Sequence, residues 1–257
     1  TKRIGILGWG VNHRAITRWL VRHGAAHISV LDQATLVPDV TLPTIDWRFG
    51  STAFDRLTDF DLVLRSPGIP LDHPKLIAAQ AAGVEISSQT NLFFSLCPAS
   101  IIGVTGTKGK GTTASLIQAM LQASSQPFGQ AQGQRSTVNR EFHLGVAYLA
   151  GNIGTDPFEF LDQLTAEDWV VLELSSFQLE DLTASPHIAV VLSVGVDHLN
   201  HHRSIDEYVA AKRKIVAYQS TADHVVVSAD DPISASFADA TPAIKHWYSR
   251  SRVVLDG

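Results

Sequence analysis

The segment that most restricts the fold is Gly106-Thr-Lys-Gly-Lys110-Gly-Thr112-Thr113. It joins the apolar run 101–105 to a stretch whose Thr113, Leu116, Ile117, Met120 and Leu121 share one helical face. A strand that turns through glycines into a helix is a phosphate-binding arrangement. Glycines let backbone N–H groups approach phosphate oxygens, the helix start adds partial positive charge, and Lys110 brings a full charge to the β and γ groups. In the commonest form of this loop a glycine stands at the position of Val104 and a hydroxyl directly follows the lysine. Here Gly111 intervenes, so Thr112 is the candidate magnesium hydroxyl. The competing reading is a tight turn whose glycines serve packing only. A net charge of −5 gives no general electrostatic reason to bind nucleic acid or an anionic membrane. A triphosphate must therefore be held locally, by Gly106, Thr107, Lys108, Gly109, Lys110, Gly111, Thr112 and Thr113.

The same strand–helix rhythm begins at residues 3–7, followed by a helix pattern from His13 and a second apolar run at 27–32. It continues through 61–65, 73–83 and 84–88. Such alternation predicts parallel βαβ units. After the weakly periodic stretch 91–99, the blocks 101–106, 169–175, 188–195 and 224–231 read as strands buried on both faces. The expected fold class is α/β, with a Rossmann-like domain over residues 1–97 and a P-loop-type α/β domain over 98–257 whose architecture is unfinished. The Gln-rich stretch 124–143 reads as a surface insertion. At 257 residues and 45% hydrophobic content, core burial is not limiting. The single cysteine, Cys97, excludes an internal disulfide or a cysteine-rich zinc site. The chain enters a strand pattern at once, and its longest apolar runs are about half the roughly 20 residues a membrane helix needs. The expectation is a cytoplasmic protein with no membrane span.

Glu173 and His198 each follow the end of a strand pattern, where ligands gather in open α/β sheets. With Lys110, three separate stretches deliver a cation, a carboxylate and an imidazole to one predicted sheet edge. Carboxylate and threonine hydroxyl suit magnesium, and imidazole can join a second ion partly held by phosphates. Taken singly, Glu173 reads equally as an ordinary hydrogen-bonded side chain, and His198, near His201 and His202, as part of a solvated loop. Ser204 and Glu207 have capping-box spacing and open a helix predicted to run to Tyr218. Its apolar stripe of Ile205, Tyr208, Val209, Ile215 and Val216 lacks one member, where Lys212 stands. Lys212 either reaches water along its stem or is desolvated. A desolvated amine loses proton affinity, and the neutral form can take up carbon dioxide as a metal-ligating carbamate. Near the start, Gly8-Trp9-Gly10 follows a strand and Asp32 ends the next, as in a dinucleotide fingerprint, but His13 replaces the third glycine. Ser66-Pro67-Gly68-Ile69 is a rigid turn with backbone donors suited to a diphosphate or a uracil edge.

Together these segments resemble the Mur ligases over nearly the whole chain. The resemblance rests on Ser66-Pro-Gly-Ile69, Gly106-Thr-Lys-Gly-Lys110, Gly151-Asn-Ile-Gly154, Glu173-Leu-Ser-Ser-Phe-Gln178-Leu, Asp197-His198-Leu and Tyr208-Val-Ala-Ala-Lys212, in that order. The most similar branch joins D-glutamate to UDP-N-acetylmuramoyl-L-alanine in peptidoglycan synthesis, through an acyl phosphate made with ATP. The resemblance implies ATP on Lys110 and the loop amides, one magnesium ion on Thr112 and Glu173, and a second on His198 and carbamylated Lys212. It implies UDP-sugar contacts at Gly8, Trp9, Gly10, Asp32, Gln33, Ser66, Pro67, Gly68, Asn152, Ser175 and Gln178. It further implies a monomer whose domain 1–97 takes the UDP-substrate, whose domain 98–257 takes ATP, and whose amino-acid-binding third domain lies beyond this chain. Some positions depart from the family pattern: Asn200 and His201 stand where Asp and Arg are usual, and Ala34 where an arginine is common. Lys110-Gly111-Thr112 is more similar to the folylpolyglutamate synthases, the enzyme alternative with the same acyl-phosphate chemistry. A non-catalytic module binding nucleotide and UDP-sugar is the alternative of another class. A nicotinamide dehydrogenase rests only on Gly8, Gly10 and Asp32.

Overall fold

The computed structural model of the chain describes residues 2–125, 145–195 and 204–254. His198, Asn200, His201 and His202 lie outside the described residues, as does the stretch 124–143 after its first two positions. The chain divides into two compact units. The first comprises Thr1–Leu96 with the short segments Asp156–Asp162 and Glu180–Thr183, and the second holds the remainder from Cys97.

In the first unit, β1 (Arg3–Leu7), β2 (His27–Asp32), β3 (Asp46–Phe49), β4 (Leu62–Arg65) and β5 (Glu85–Ser88) form a parallel sheet in the order β3-β2-β1-β4-β5. Helices α1 (Val11–Arg22), α2 (Pro74–Ala81) and α3 (Gln89–Leu96) accompany it. Leu7, Leu31 and Val63 pack on one face with Phe54, Leu57, Phe60 and Leu76. Ile6, Val30 and Leu64, one step out of phase, are also fully buried, so both faces are covered and the strands read as apolar runs. Strand order reverses between β1 and β4, which opens a crevice beyond their carboxyl ends. Gly5 belongs to the packing: a Cβ there would come within 3.0 Å of the Phe60 ring. Strand β3 carried no signal in the sequence, since its four residues are a mixed edge strand with no fully buried side chain.

In the second unit, β6 (Ser100–Thr105), β7 (Ala147–Gly151), β8 (Trp169–Glu173), β9 (Ile188–Val191), β10 (His224–Ser228) and β11 (Ile244–Tyr248) form a parallel sheet. Their order is β11-β10-β9-β6-β8-β7. Helices α4 (Lys110–Ser125), α5 (Ser176–Leu179), α6 (Ile205–Arg213) and α7 (Pro232–Ala235) complete the described elements. Here the order reverses around β6, with β8 on one side and β9 on the other. Among the described residues no helix is long and apolar enough to cross a membrane.

Two helices differ from their sequence patterns. In α4, Ala114 is buried and Ile117 and Leu121 pack on the cluster of Val104, Val171 and Val190, whereas Leu116 and Met120 are 59% and 69% exposed. Polar satisfaction decides this face: Gln118 and Gln122 donate their side-chain amides to the Ala147 carbonyl on edge strand β7, at 3.0 and 3.3 Å. Helix α6 ends at Arg213 instead of Tyr218. Beyond it the chain tightens into i→i−3 bonds, Ile215 N to Lys212 O and Val216 N to Arg213 O, and Ser185 Oγ draws off the Tyr218 N–H at 2.9 Å.

Candidate active site

The glycine turn is held in shape by its neighbours. Gly106 has φ +147°, and a Cβ there would lie 2.7 Å from that of Leu192, so only glycine fits. Thr107 donates its N–H to the Ser193 carbonyl at 2.8 Å. Its hydroxyl donates to the Gly195 carbonyl and accepts from the Gly195 N–H, at 3.1 and 2.9 Å, and lies 3.2 Å from the Tyr208 hydroxyl. Lys108 and Gly109 at the tip are exposed, and α4 begins at Lys110 with Gly111, Thr112 and Thr113 in its first turn. This is a strand, a glycine turn and a helix start in one line, as the sequence suggests.

Register brings the carboxylate to the same place. Val104 pairs with Glu173 across β6 and β8, so Glu173 ends its strand beside the turn. Lys110 Nζ donates to the Thr107 carbonyl at 3.1 Å and stands 3.9 Å from Glu173 Oε1. Glu173 Oε2 lies 4.0 Å from where a Cβ on Gly111 would sit, which sets the carboxylate against the first turn of α4. Among the described residues no group of three or more His, Cys, Asp and Glu converges. A magnesium ion at this point would therefore rest on the Glu173 carboxylate, the Thr112 hydroxyl and phosphate oxygens brought by a nucleotide, an oxygen set that suits it.

Lys212 resolves one ambiguity. Its side chain does not reach water: the residue is 1% exposed, Nζ donates to the Gly106 carbonyl at 2.9 Å and to Thr105 Oγ1 at 3.4 Å, and it sits 4.6 Å from the centre of the Tyr208 ring. The buried amine is thus placed under the glycine turn. Ser204 caps its helix by accepting the Glu207 N–H at 3.1 Å, as the spacing predicts.

Two predicted contacts turn out to have local work. Ser175 and Gln178 form a capping box for α5: Gln178 Oε1 accepts from the Ser175 N–H and hydroxyl, both at 3.0 Å, and Ser175 Oγ accepts the Gln178 N–H at 3.3 Å. Asn152, exposed, donates its N–H to the Glu173 carbonyl at 3.0 Å. Gly151 in front of it has φ +101°, and a Cβ there would stand 2.2 Å from the same carbonyl.

In the first unit, the Gly8 and Ser66 turns meet at the β1/β4 crevice. A Cβ on Gly8, at φ +86°, would come 3.0 Å from that of Ser66. Trp9 is buried edge-to-face against Trp47 and donates its N–H to Asp32 Oδ2 at 2.8 Å, while Asp32 Oδ1 accepts the Ala34 N–H at 2.8 Å. Gly10 caps α1 without a side chain, and Gly10, Gln33 and Gly68 are exposed, with Ser66 and Pro67 half-buried. His13 takes the space that the third glycine of a dinucleotide fingerprint leaves open. Its Nδ1 donates to the Gly8 carbonyl at 2.7 Å, and burial, assisted by the charge of Arg65, pushes its pKa down to about 4. Asp32 serves the turn with both oxygens, so neither feature of the dehydrogenase reading is dedicated to a nicotinamide cofactor. Sequence reasoning missed Arg65, and the hydroxyl contact between Thr107 and Tyr208, as parts of the site framework; a charged residue closing an apolar strand was the available signal for the first.

Comparison with known proteins agrees with this architecture. The family model of the Mur ligase middle domain matches residues 104–251, and that of the Mur ligase MurD-like N-terminal domain matches residues 2–88. The chain belongs to the Mur ligase family. The UDP-N-acetylmuramoylalanine–D-glutamate ligase of Acetivibrio thermocellus is 37% identical over 262 residues, covering 100% of this chain and 52% of that protein. Its counterpart from Symbiobacterium thermophilum is 36% identical over 260 residues, covering 99% and 51%. The chain spans about half the length of the curated relatives it matches. Among solved structures, UDP-N-acetylmuramate:L-alanyl-γ-D-glutamyl-meso-diaminopimelate ligase from Neisseria meningitides shares the fold, with TM-score 0.57, 17% identity and coverage of 100% of this chain and 82% of that one. A murein peptide ligase from Psychrobacter arcticus gives TM-score 0.54, 14% identity and coverage of 96% and 53%.

Proposed function

We propose that this chain is the substrate- and nucleotide-binding portion of a cytoplasmic, monomeric, ATP-dependent ligase that joins D-glutamate to UDP-N-acetylmuramoyl-L-alanine in peptidoglycan synthesis. One observation carries the reading: Lys110 and Glu173 stand 3.9 Å apart beside a glycine turn at the ends of adjacent strands. The acceptor and amino acid follow from the names of relatives that are more than a third identical.

In this reading residues 98–257 hold ATP. Within the Gly106–Thr113 turn the amides of Lys108–Thr112 face the phosphates, and Lys110 leaves the Thr107 carbonyl for the β and γ oxygens. The L-alanyl carboxylate oxygen attacks the γ-phosphorus and the bond to the β–γ bridging oxygen breaks, giving an acyl phosphate and ADP. The amine of D-glutamate then attacks the acyl carbon, phosphate leaves with the acyl C–O bond, and the amine releases a proton. Both steps crowd anions together, so the site supplies charge more than it supplies a base. Thr112 and Glu173 would hold one magnesium ion, and His198 with carbamylated Lys212 a second; such ions would supply positive charge against the phosphoryl oxygens. Lys212 becomes a carbamate when neutral Nζ takes up carbon dioxide and releases a proton. Residues 1–97 hold the UDP-sugar through the Gly8-Trp9-Gly10 turn, Asp32, Gln33 and Ser66-Pro67-Gly68.

The test measures ADP formation by the chain and by a version extended to the length of its relatives, offering UDP-N-acetylmuramoyl-L-alanine or a folate as acceptor. The chain is expected to bind the UDP-substrate without turnover. The extended version should sustain multiple-turnover ADP formation only with that acceptor and D-glutamate together; turnover on a folate overturns the substrate assignment.

A further inference from the structure

We propose that Arg65 is a positioning residue that holds the Ser66-Pro67-Gly68 turn in the form that receives the phosphate-bearing part of a UDP-substrate; the ligand named here rests on the preceding reading. Arg65 ends β4, which is paired on both sides by β1 and β5, so its side chain leaves the sheet from an interior strand. It is 0% exposed. A guanidinium so placed needs partners for its donors, and the turn supplies them for Nη1, while Nε has no hydrogen-bond partner among the described residues. Nη1 donates to the Ile69 carbonyl at 2.5 Å and to the Pro67 carbonyl at 3.3 Å.

Two carboxylates of the same unit flank the guanidinium. Nη1 lies 2.8 Å from Glu180 Oε1 and Nη2 lies 3.0 Å from Asp181 Oδ2. Asp181 is itself fixed: its Oδ1 accepts the Ser88 hydroxyl at 3.2 Å and its backbone carbonyl accepts Asn91 Nδ2 at 2.7 Å. Buried ion pairs contribute little net stability, because desolvation offsets their attraction, and their best-attested use is to fix one conformation. Two carboxylates around one guanidinium also leave no surplus positive charge, so Arg65 does not act by attracting phosphate. It acts on the backbone.

The consequence for the turn is directional. The Pro67 and Ile69 carbonyls are engaged by Arg65, the Ser66 N–H by Leu7 O at 3.0 Å, and the Ile69 N–H by Ser66 O at 3.0 Å. Gly68 is exposed, and its amide makes no hydrogen bond among the described residues. With the carbonyls committed inward, the turn offers an exposed N–H and the Ser66 hydroxyl beside the Gly8 turn at the β1/β4 crevice, a donor set suited to phosphate oxygens.

The test compares wild type with Arg65→Met, with Arg65→Lys, and with the triple variant Arg65→Met/Glu180→Gln/Asp181→Asn, which removes the guanidinium without stranding its carboxylates. Calorimetry reads affinity for UDP-N-acetylmuramoyl-L-alanine and for AMP-PNP, and hydrogen exchange reads the Ser66 and Ile69 amides. The triple variant should lose at least tenfold in UDP-substrate affinity with AMP-PNP affinity unchanged, exchange at the Ser66 and Ile69 amides should accelerate at least tenfold, and Arg65→Lys should recover part of the affinity. Wild-type affinity and exchange in the triple variant overturn the proposal. If wild type fails to bind the UDP-substrate, the ligase reading falls, while the exchange comparison still decides whether Arg65 holds the turn.

Discussion

Lys212 Nζ stands 2.9 Å from the Gly106 carbonyl oxygen, so a residue of α6 supports the turn that ends β6 from beneath. Tyr208, one turn earlier on the same helix, reaches Thr107 in that turn at 3.2 Å. Helix α6 therefore braces the candidate phosphate site at two successive loop residues, and the loss of either side chain should be felt there before it is felt elsewhere.

Lys212→Ala leaves the Gly106 carbonyl without its buried donor and is expected to cost about 1–3 kcal/mol of stability. Urea unfolding measures this. In the version extended to the length of the relatives, ligation should fall at least a hundredfold and recover in part with added acetate or another short carboxylate. Absence of rescue removes the carbamate and leaves the bracing role.

Lys110→Met should weaken AMP-PNP binding by at least thirtyfold and adenosine binding by less than threefold, since the ammonium serves only the phosphates. Glu173→Gln should instead abolish the strengthening of AMP-PNP binding by magnesium while leaving metal-free affinity within threefold. Titrations with and without magnesium distinguish the two; an undiminished magnesium effect in Glu173→Gln removes Glu173 from the metal site.

His13 gives the protein a defined acid sensitivity. Its folded pKa is pushed down to about 4 from an ordinary 6.5, chiefly by burial. As pH falls through 6.5 the unfolded chain takes up a proton that the folded chain refuses until about pH 4. Stability should therefore decline across that window by up to about 3 kcal/mol, and the full value is present only above it. Urea midpoints at pH 7.5 and 4.5 for wild type and His13→Gln test this: the variant should lose one proton's worth of the slope, and identical slopes would show that His13 titrates normally.

Gly151→Ala and Gly50→Ala form a matched pair, with φ +101° and +100°. A Cβ on Gly151 would lie 2.2 Å from the Glu173 carbonyl, whereas nothing lies within 4 Å of one on Gly50. Backbone strain alone should cost Gly50→Ala roughly 1–2 kcal/mol. Gly151→Ala should cost at least about 2 kcal/mol more through overpacking and should weaken magnesium-dependent nucleotide binding, because Glu173 must move. Equal thermal shifts would show that the backbone there yields freely.

The two parallel sheets were readable because strands buried on both faces are written as apolar runs, and the glycine turn because its chemistry is local. Edge strands β3 and β7 left no such trace. The inward face of α4 was misread because Leu116 and Met120 advertise burial by type, while the carbonyl on β7 that chose the face through Gln118 and Gln122 is invisible until the strand is placed. Ser175 and Gln178 carried a family-derived contact role, and their reciprocal hydrogen bonds emerged only with the start of α5.

By itself the chain of residues determined the α/β class, the glycine turn between β6 and α4, the capped helix from Ser204 and the family. Each of these is encoded within a few neighbouring positions by backbone freedom, periodicity or capping. Only the tertiary structure decided that Lys110 meets Glu173, that Lys212 turns inward, and that Arg65 is enclosed by Glu180 and Asp181 more than a hundred positions away. Those relations depend on strand order and register, which bring distant side chains within a few ångströms and so set the burial and charge from which their chemistry follows.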